Sequence, residues 1–264
     1  MAALSKPLPP GGRPAGVKRA GSIMAAIMHW LALDTSTDVL SMAVGHGDQV
    51  WAHTSAGGAQ ASLDGLPTVQ RLMAEAGLRW QDLTAIVMGQ GPGAFTGLRT
   101  ACAMAQGLAW GADLPVLPID TLLAVAEQAR HAHPGAPEGE RVLAVNDARM
   151  GQVYVAAYVH TAQGWQCERP SAVCAPEALD APASWHAQPY AVAGNAQPVH
   201  APVWPHRLTG PCWLASPSAE ALIRLAPQAW AEGLAVPAEQ ALPLYVRDKV
   251  ADTTAEREQR KALA

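Results

Sequence analysis

One phenylalanine and four tyrosines in 264 residues leave little aromatic packing outside nine tryptophans. No strip alternates basic and aromatic side chains, so stacking of single-stranded nucleic acid is not expected. Charge is sparse too, and its formal balance of −4 excludes a protein that holds nucleic acid through charge alone. Cys102, Cys167, Cys174 and Cys212 form no C-x-x-C pair; they fit a reducing cytosol better than a disulfide framework, and the expected location is cytoplasmic. The nine histidines build neither H-x-x-x-H nor H-E-x-x-H, so no metal site is expected. Serine-nucleophile chemistry lacks its G-x-S-x-G elbow. No apolar run approaches the roughly 20 residues that a membrane-spanning helix needs.

Against these absences stands one dense stretch, GQGPGAFTGLRTACAMAQGLAW, from Gly89 to Trp110. It follows a short apolar strand, Thr84 to Met88. Gly89, Gly91, Gly93 and Gly97 fall within nine residues around Pro92, and glycine at that density lets a backbone turn tightly or approach a partner closely. Thr96 stands where a hydroxyl can cap the helix that follows. Strand, glycine loop and helix N-terminus together can receive an anion. No lysine follows the glycines and no G-x-G-x-x-G falls in register, so a phosphate cradle and a plain strand-to-helix turn both stay open.

The helix itself carries no charged residue from Thr100 to Ala112. A surface helix ordinarily has a polar face. This one is sandwiched inside the domain or covered by another protein, and cover by a partner is the favoured reading. The expected partner stripe is Thr100, Ala103, Met104, Gly107 and Leu108, with Ala101, Ala105 and Ala109 toward the chain's own sheet.

The order strand, Asp, turn, strand, Gly turn, strand, helix, strand occurs twice, with Asp34 and Asp147 in equivalent places. The first copy runs from the strand ending in Asp34-Thr35-Ser36-Thr37 through a helix bearing Leu63, Leu66, Val69, Met73 and Ala76. The second has a strand ending in Asp147-Ala148-Arg149, an alternating strand over 153–159, a Pro/Ala-rich helical region, and a strand before Gly194-Asn195. A duplicated α/β protein with a cleft between copies is expected. Its parts are a disordered leader over 1–27, lobes over 28–130 and 141–250 separated by the polar linker 131–140, and a flexible tail over 251–264. Met24 or Met28 can equally serve as the start of translation. Asp120 or Thr121 is expected to cap one later helix and Ser216 or Ser218 another.

Candidate chemistry is thin. Asp34, with Thr35 and Ser36 beside it and Gly91, Gly93 and Thr96 across from it, is the candidate nucleotide site; the plain alternative is a turn carboxylate bonding nearby N–H groups. For Asp147 and Arg149 an internal ion pair is favoured over a second phosphate contact.

Leu31 to Thr37, GPGAFTGLR at Gly91–Arg99, Ala105 to Ala109, Asp147-Ala148-Arg149 with Val153-Tyr154, and Leu244 to Arg247 resemble the TsaB family, over about Met28 to Arg247. The resemblance implies an α/β, duplicated actin-like (ASKHA, ribonuclease H-like) fold, two lobes each with a mixed sheet flanked by helices. It implies an accessory, non-catalytic subunit that supports TsaD in transferring threonylcarbamoyl to the adenosine beside the tRNA anticodon, with no cofactor of its own. TsaE is then a further partner, and tRNA is met only through the complex. The family's partner surface, also a homodimer surface when TsaD is absent, comprises the helix after the glycine loop and the first long helix, here including Leu66, Val69 and Met73. Two positions depart from the family pattern: Ala61-Ser62 stands for His-Ser, and Gly194-Asn195-Ala196 for Gly-Asp-Gly, which weakens metal–nucleotide chemistry. The competing reading is a stand-alone actin-like ATPase or phosphotransferase using Asp34 and the glycine loop.

Overall fold

The computed structural model describes residues 27–46 and 49–247. The tail expected over 251–264 and all but the last residue of the leader expected over 1–27 lie outside them. The first lobe comprises β1 (His29–Asp34), β2 (Val39–His46), β3 (Gln49–Ala56), α1 (Ala59–Ala76), β4 (Ala85–Gly91), α2 (Phe95–Ala112) and β5 (Val116–Asp120). After α3 (Thr121–Ala132) the second contains β6 (Arg141–Asp147), β7 (Val153–Thr161), β8 (Gly164–Cys174), β9 (Ala191–Gly194), the one-turn α4 (Ala196–Val199) and β10 (Cys212–Leu214). Among the described residues the last α-helix is α5 (Ala219–Ala231).

The sheets have the orders β3-β2-β1-β4-β5 and β10-β9-β6-β7-β8. In each, the first strand of the copy pairs antiparallel with the second and parallel with the fourth. The second sheet therefore repeats the first, and the duplicated two-lobed arrangement is present. β1 and β4 are buried on both faces, which explains their near-continuous apolar runs. Leu31, Leu33, Ile86 and Met88 face α1 and α2, while Trp30, Ala32, Ala85 and Val87 face the other way. In the second lobe Val142 and Ala144 turn toward the first, and Leu143 and Val145 line a separate small core with Leu179, Trp185 and Tyr190.

The packing of the helices crosses the linker expected over 131–140. α3 precedes the second lobe and lies between the sheets, on β6, β7 and β9 as well as on β4 and β5, whereas α5 follows that lobe and packs across β1 to β5. Apolar residues of both sheets and both helices form one central core. Each sheet takes part of its cover from a helix on the other side of the 131–140 linker in sequence. The α5 N-terminus is fixed by Ser218, which accepts from the Ala221 N–H at 3.1 Å, and by Ser41 on β2, which accepts from the Ala219 N–H at 2.9 Å. Asp120 caps α3 through the Leu122 N–H at 2.8 Å.

A second expectation is corrected between β8 and β9. The region expected to be helical makes only two short 3-10 turns, Pro176–Ala178 and Ala183–Trp185. Pro176, Pro182 and Pro189 lack the donors that a longer helix needs. Among the described residues no helix is long and apolar enough to cross a membrane.

Glu127 on α3 joins three elements. Its carboxylate accepts from Arg224 Nε of α5 at 2.7 Å and from Trp165 Nε1 of β8 at 2.9 Å. Glu127→Ala leaves the buried Trp165 indole N–H without its acceptor and the half-buried Arg224 guanidinium without its ion-pair partner, with only its Nη2 bond to Gln128 Oε1 at 2.8 Å remaining. The expected loss is about 2–3 kcal/mol of unfolding free energy, read as a lower urea midpoint at unchanged m-value.

Candidate functional site

The glycine loop lies directly on the turn that follows β1. Cβ atoms built at Gly89 and Gly97 would stand 1.8 Å from Asp34 Oδ2 and 1.9 Å from the Thr35 carbonyl oxygen, so neither position admits a side chain. The Ala94 N–H donates to the Ser36 carbonyl at 2.7 Å, and Thr35 Oγ1 donates to the Gly97 carbonyl at 2.6 Å. The loop's close approach is therefore to the chain itself. α2 begins at Phe95 with Ala94 as its N-cap and no side-chain cap. Thr96 is inside the first turn and exposed, so the cap expected from it is absent.

This geometry takes apart the candidate nucleotide set. Asp34, Thr35, Ser36 and Gly91 are buried. Asp34 Oδ1 accepts from the Ser36 N–H at 2.9 Å and from Ser36 Oγ at 2.7 Å, while Oδ2 is buried with no hydrogen-bond partner. Burial pushes the Asp34 carboxyl up from its ordinary range, against the opposing effect of the Ser36 bonds. Asp34 Oδ2 lies against the backbone of Gly89, and Asp34 is not among the residues that line the cleft.

Ser36 and Gly93 do reach an open space, a cleft of about 450 Å³ between the lobes. Across it stand Asp147, Arg149 and Tyr154, while Tyr245 and Arg247 come from the C-terminal segment. Asp147 is nearly buried. Its Oδ1 accepts from His200 Nε2 at 3.0 Å and from the Arg149 N–H at 3.1 Å, and its own N–H donates to Asn195 Oδ1 at 2.8 Å. The Arg149 guanidinium reaches across the cleft mouth to Asp38 Oδ2 at 2.9 Å and stays 3.7 Å from Asp147. The favoured Asp147–Arg149 ion pair is present at 3.7 Å, and a closer contact goes to His200, which lies 53 residues away and has no local signature. Asp34 and Asp147 hold equivalent places in the repeat, but one is sealed and the other lines the cleft. Among the described residues no three His, Cys, Asp or Glu side chains converge as a metal site.

The second surface is the outer side of α1 and α2. Leu98, Ala101, Cys102, Ala105 and Ala109 are buried against the sheet. Ala103, Gly107, Trp110 and Gly111 are exposed on the opposite side, and Thr100, Met104 and Leu108 are half-buried between. An apolar groove of about 440 Å³ runs there, lined by Leu66 and Trp80 together with Ala103, Met104, Gly107 and Leu108. Met104 is not a free knob: its methyl packs on Gly65 of α1, where a Cβ would stand 2.2 Å away. Val69 and Met73, placed on the partner stripe, are instead buried in the core beneath it. The outward apolar residues of α1 are Leu63, 70% exposed, and Leu66, 51% exposed. Val69 and Met73 share the apolar period with Leu63 and Leu66 but sit around the helix on the sheet side.

Residues 60–255 match the family model described as TsaD, tRNA N6-adenosine threonylcarbamoyltransferase, which with the paired sheets places the chain among actin-like proteins of duplicated fold. Over 233 residues, 85% of this chain and 96% of the relative, it is 35% identical to the tRNA threonylcarbamoyladenosine biosynthesis protein TsaB of Escherichia coli K12. It is 41% identical to the Haemophilus influenzae protein of that name over 130 residues, 49% of this chain and 53% of the relative. The solved structure of YeaZ from Pseudomonas aeruginosa aligns with a TM-score of 0.75 at 37% identity, covering 83% of this chain and all of that one. The chain belongs to the TsaB family.

Asp34 provides a test of the sealed turn. A carboxyl whose proton is held more tightly in the folded state favours folding most below the unfolded carboxylate range, near pH 4, and loses that contribution as pH rises. Asp34→Asn keeps the Oδ1 acceptor and removes the charge. It should match the parent chain near pH 3 and exceed it near pH 8 by on the order of 1–3 kcal/mol, as measured by urea denaturation at both pH values.

Proposed function

We propose that this chain is the accessory, non-catalytic subunit that binds and supports TsaD in transferring threonylcarbamoyl to the adenosine adjacent to the tRNA anticodon. TsaD docks on the outer faces of α1 and α2, a second copy of the chain takes that face when TsaD is absent, and TsaE is a further partner. tRNA meets this subunit only through the complex. Its place of action is the cytoplasm.

The observation that carries this reading is the exposed side of α2. It bears no charge between Thr100 and Ala112, exposes Trp110 at 72%, and presents small residues at Ala103, Gly107 and Gly111. Cβ atoms at Gly107 and Gly111 would meet nothing within 4 Å, so the fold of this chain does not require glycine at either position. Glycine inside a helix costs about 1 kcal/mol relative to alanine. Small residues spaced by four let a second backbone come close, and the flanking apolar side chains of α1 supply area to bury. The non-catalytic part of the reading is supported by Asp34, whose carboxylate is shut beneath the glycine loop.

Two variants separate docking from folding. Gly107→Ala should stabilise the free chain by about 0.5–1 kcal/mol yet weaken TsaD binding. Ala103→Glu should fold normally and bind TsaD at least roughly a hundredfold more weakly, because its charge is desolvated and unpaired in the complex. Ala105→Glu, on the buried side, should damage folding instead. Calorimetry with TsaD and circular dichroism of each variant give the readouts; unchanged TsaD affinity in both Gly107→Ala and Ala103→Glu would refute the docking face.

The purified chain alone should hydrolyse no ATP and modify no tRNA. ATP turnover that disappears in Asp34→Ala would identify the stand-alone ATPase instead.

A further inference from the structure

After α5, which already covers the first sheet, the chain continues along the first lobe and then leaves it. Val236 pairs with Val116 of β5, its N–H donating at 2.8 Å and its carbonyl accepting at 2.9 Å. The Ala241 carbonyl accepts from Cys102 Sγ at 3.1 Å and from Gln106 Nε2 at 2.9 Å, both on α2. The Leu244 N–H donates to the Gln90 carbonyl at 2.8 Å. Gln90 lies at a register shift in β4, between Gly89 paired with Ile119 and Gly91 paired with Asp120. A bulge of this kind leaves a residue free of the ladder, and Gln90 uses that freedom to hold the returning segment. Gly91, at φ +120°, seats it: a Cβ there would stand 2.7 Å from the Leu244 carbonyl oxygen.

The next residues span the cleft. The Tyr245 ring packs on Phe95 with centroids 5.2 Å apart, and its hydroxyl accepts from Arg99 Nε at 3.2 Å. Arg247 then engages the second lobe. Its Nη2 donates to the Ala148 carbonyl at 2.9 Å, Nη1 lies 3.7 Å from Met150 Sδ, and the guanidinium lies 5.9 Å from the Tyr154 ring centre.

We propose that residues 241–247 are an interlobe latch, fastened to β4 and α2 at one end and to the β6–β7 turn at the other, which sets the width of the cleft. Behind the strand ends the lobes are already joined by the central core shared between α3, α5 and both sheets, and that joint is the pivot. In front of the strand ends, two other polar contacts between described residues that line the cleft cross it. One is the Arg149–Asp38 pair, with both side chains more than two-thirds exposed and therefore weakly binding; the other is Tyr154 Oη donating to the Gly93 carbonyl at 3.4 Å. The latch differs from them in being a continuous stretch of backbone, anchored at several points on one side and closed by a charge-assisted bond on the other. This inference is independent of what docks on α2.

The test measures the distance between the lobes in the full chain. Spin labels are placed at exposed Ala52 on β3 and exposed Gln188 before β9, in a background with Cys167, Cys174 and Cys212 replaced by serine. Arg247→Ala cuts the second-lobe end, and Tyr245→Ala loosens the first-lobe end. Each should move the distance distribution away from that of the parent and broaden it. The double variant should shift no further than Arg247→Ala alone, because restraints in series are released by cutting either end, whereas independent contributions add. Amide exchange distinguishes release from general loosening: the Leu244 N–H should lose protection in Arg247→Ala while the Ala94 N–H, bonded to Ser36, keeps its own. A parent-like distribution in both single variants, shifts that sum in the double, or equal loss of protection at Leu244 and Ala94 would each overturn the latch.

Discussion

The contact between the glycine loop and the Asp34–Ser36 turn leaves no room for a single added carbon at Gly89 or Gly97. Much of the first lobe depends on that closeness. It ties the end of β1 to the first turn of α2 through the Ala94 and Thr35 hydrogen bonds, and so fixes how α2 lies on the sheet. Past the first turn, where Leu98 is buried, the sheet side of α2 carries small residues, Ala101, Cys102, Ala105 and Ala109. The same closeness buries Asp34 Oδ2 without a partner, a cost that a buried polar group imposes wherever water is excluded. The loop has the order of elements that receives anions elsewhere, but here its N–H at Ala94 is already donated to the chain itself.

What the sequence made legible follows from how local each signal is. The two strand–Asp–turn–strand copies could be read because period-two alternation and glycine turns are written within a few residues, and the paired sheets carry the same order. The uncharged run of α2 could be read for the same reason. The exchange of α3 and α5 between lobes could not: amphipathic helices show that they have an apolar face but not which sheet will cover it. Val69 and Met73 illustrate the matching limit on α1, whose apolar residues spread around enough of the helix to serve both the core and the surface. The proline-punctuated stretch after β8 has helical composition, and its prolines decided the outcome. His200 and the Gln90–Leu244 contact join residues more than fifty positions apart, and no local pattern announces them.

α2 then has to satisfy three neighbours with one short sequence. Its sheet side requires small apolar residues, its beginning carries Phe95 and Arg99 against Tyr245, and its outer side exposes Trp110 and two glycines that nothing within the chain requires. The third feature makes the isolated subunit less stable than an alanine-faced version of the same helix would be, by about 1 kcal/mol for each glycine. Any ligand that binds the folded chain and not the unfolded one raises apparent stability in proportion to its binding free energy. If a partner docks there as proposed, a helix whose outer face is destabilising when free links the stability of this chain to occupation of that face. For a polar, solvated helix the link is weaker, because such a face gains little by being covered. The absence of charge from Thr100 to Ala112 is for that reason more informative about role than any single residue in the cleft.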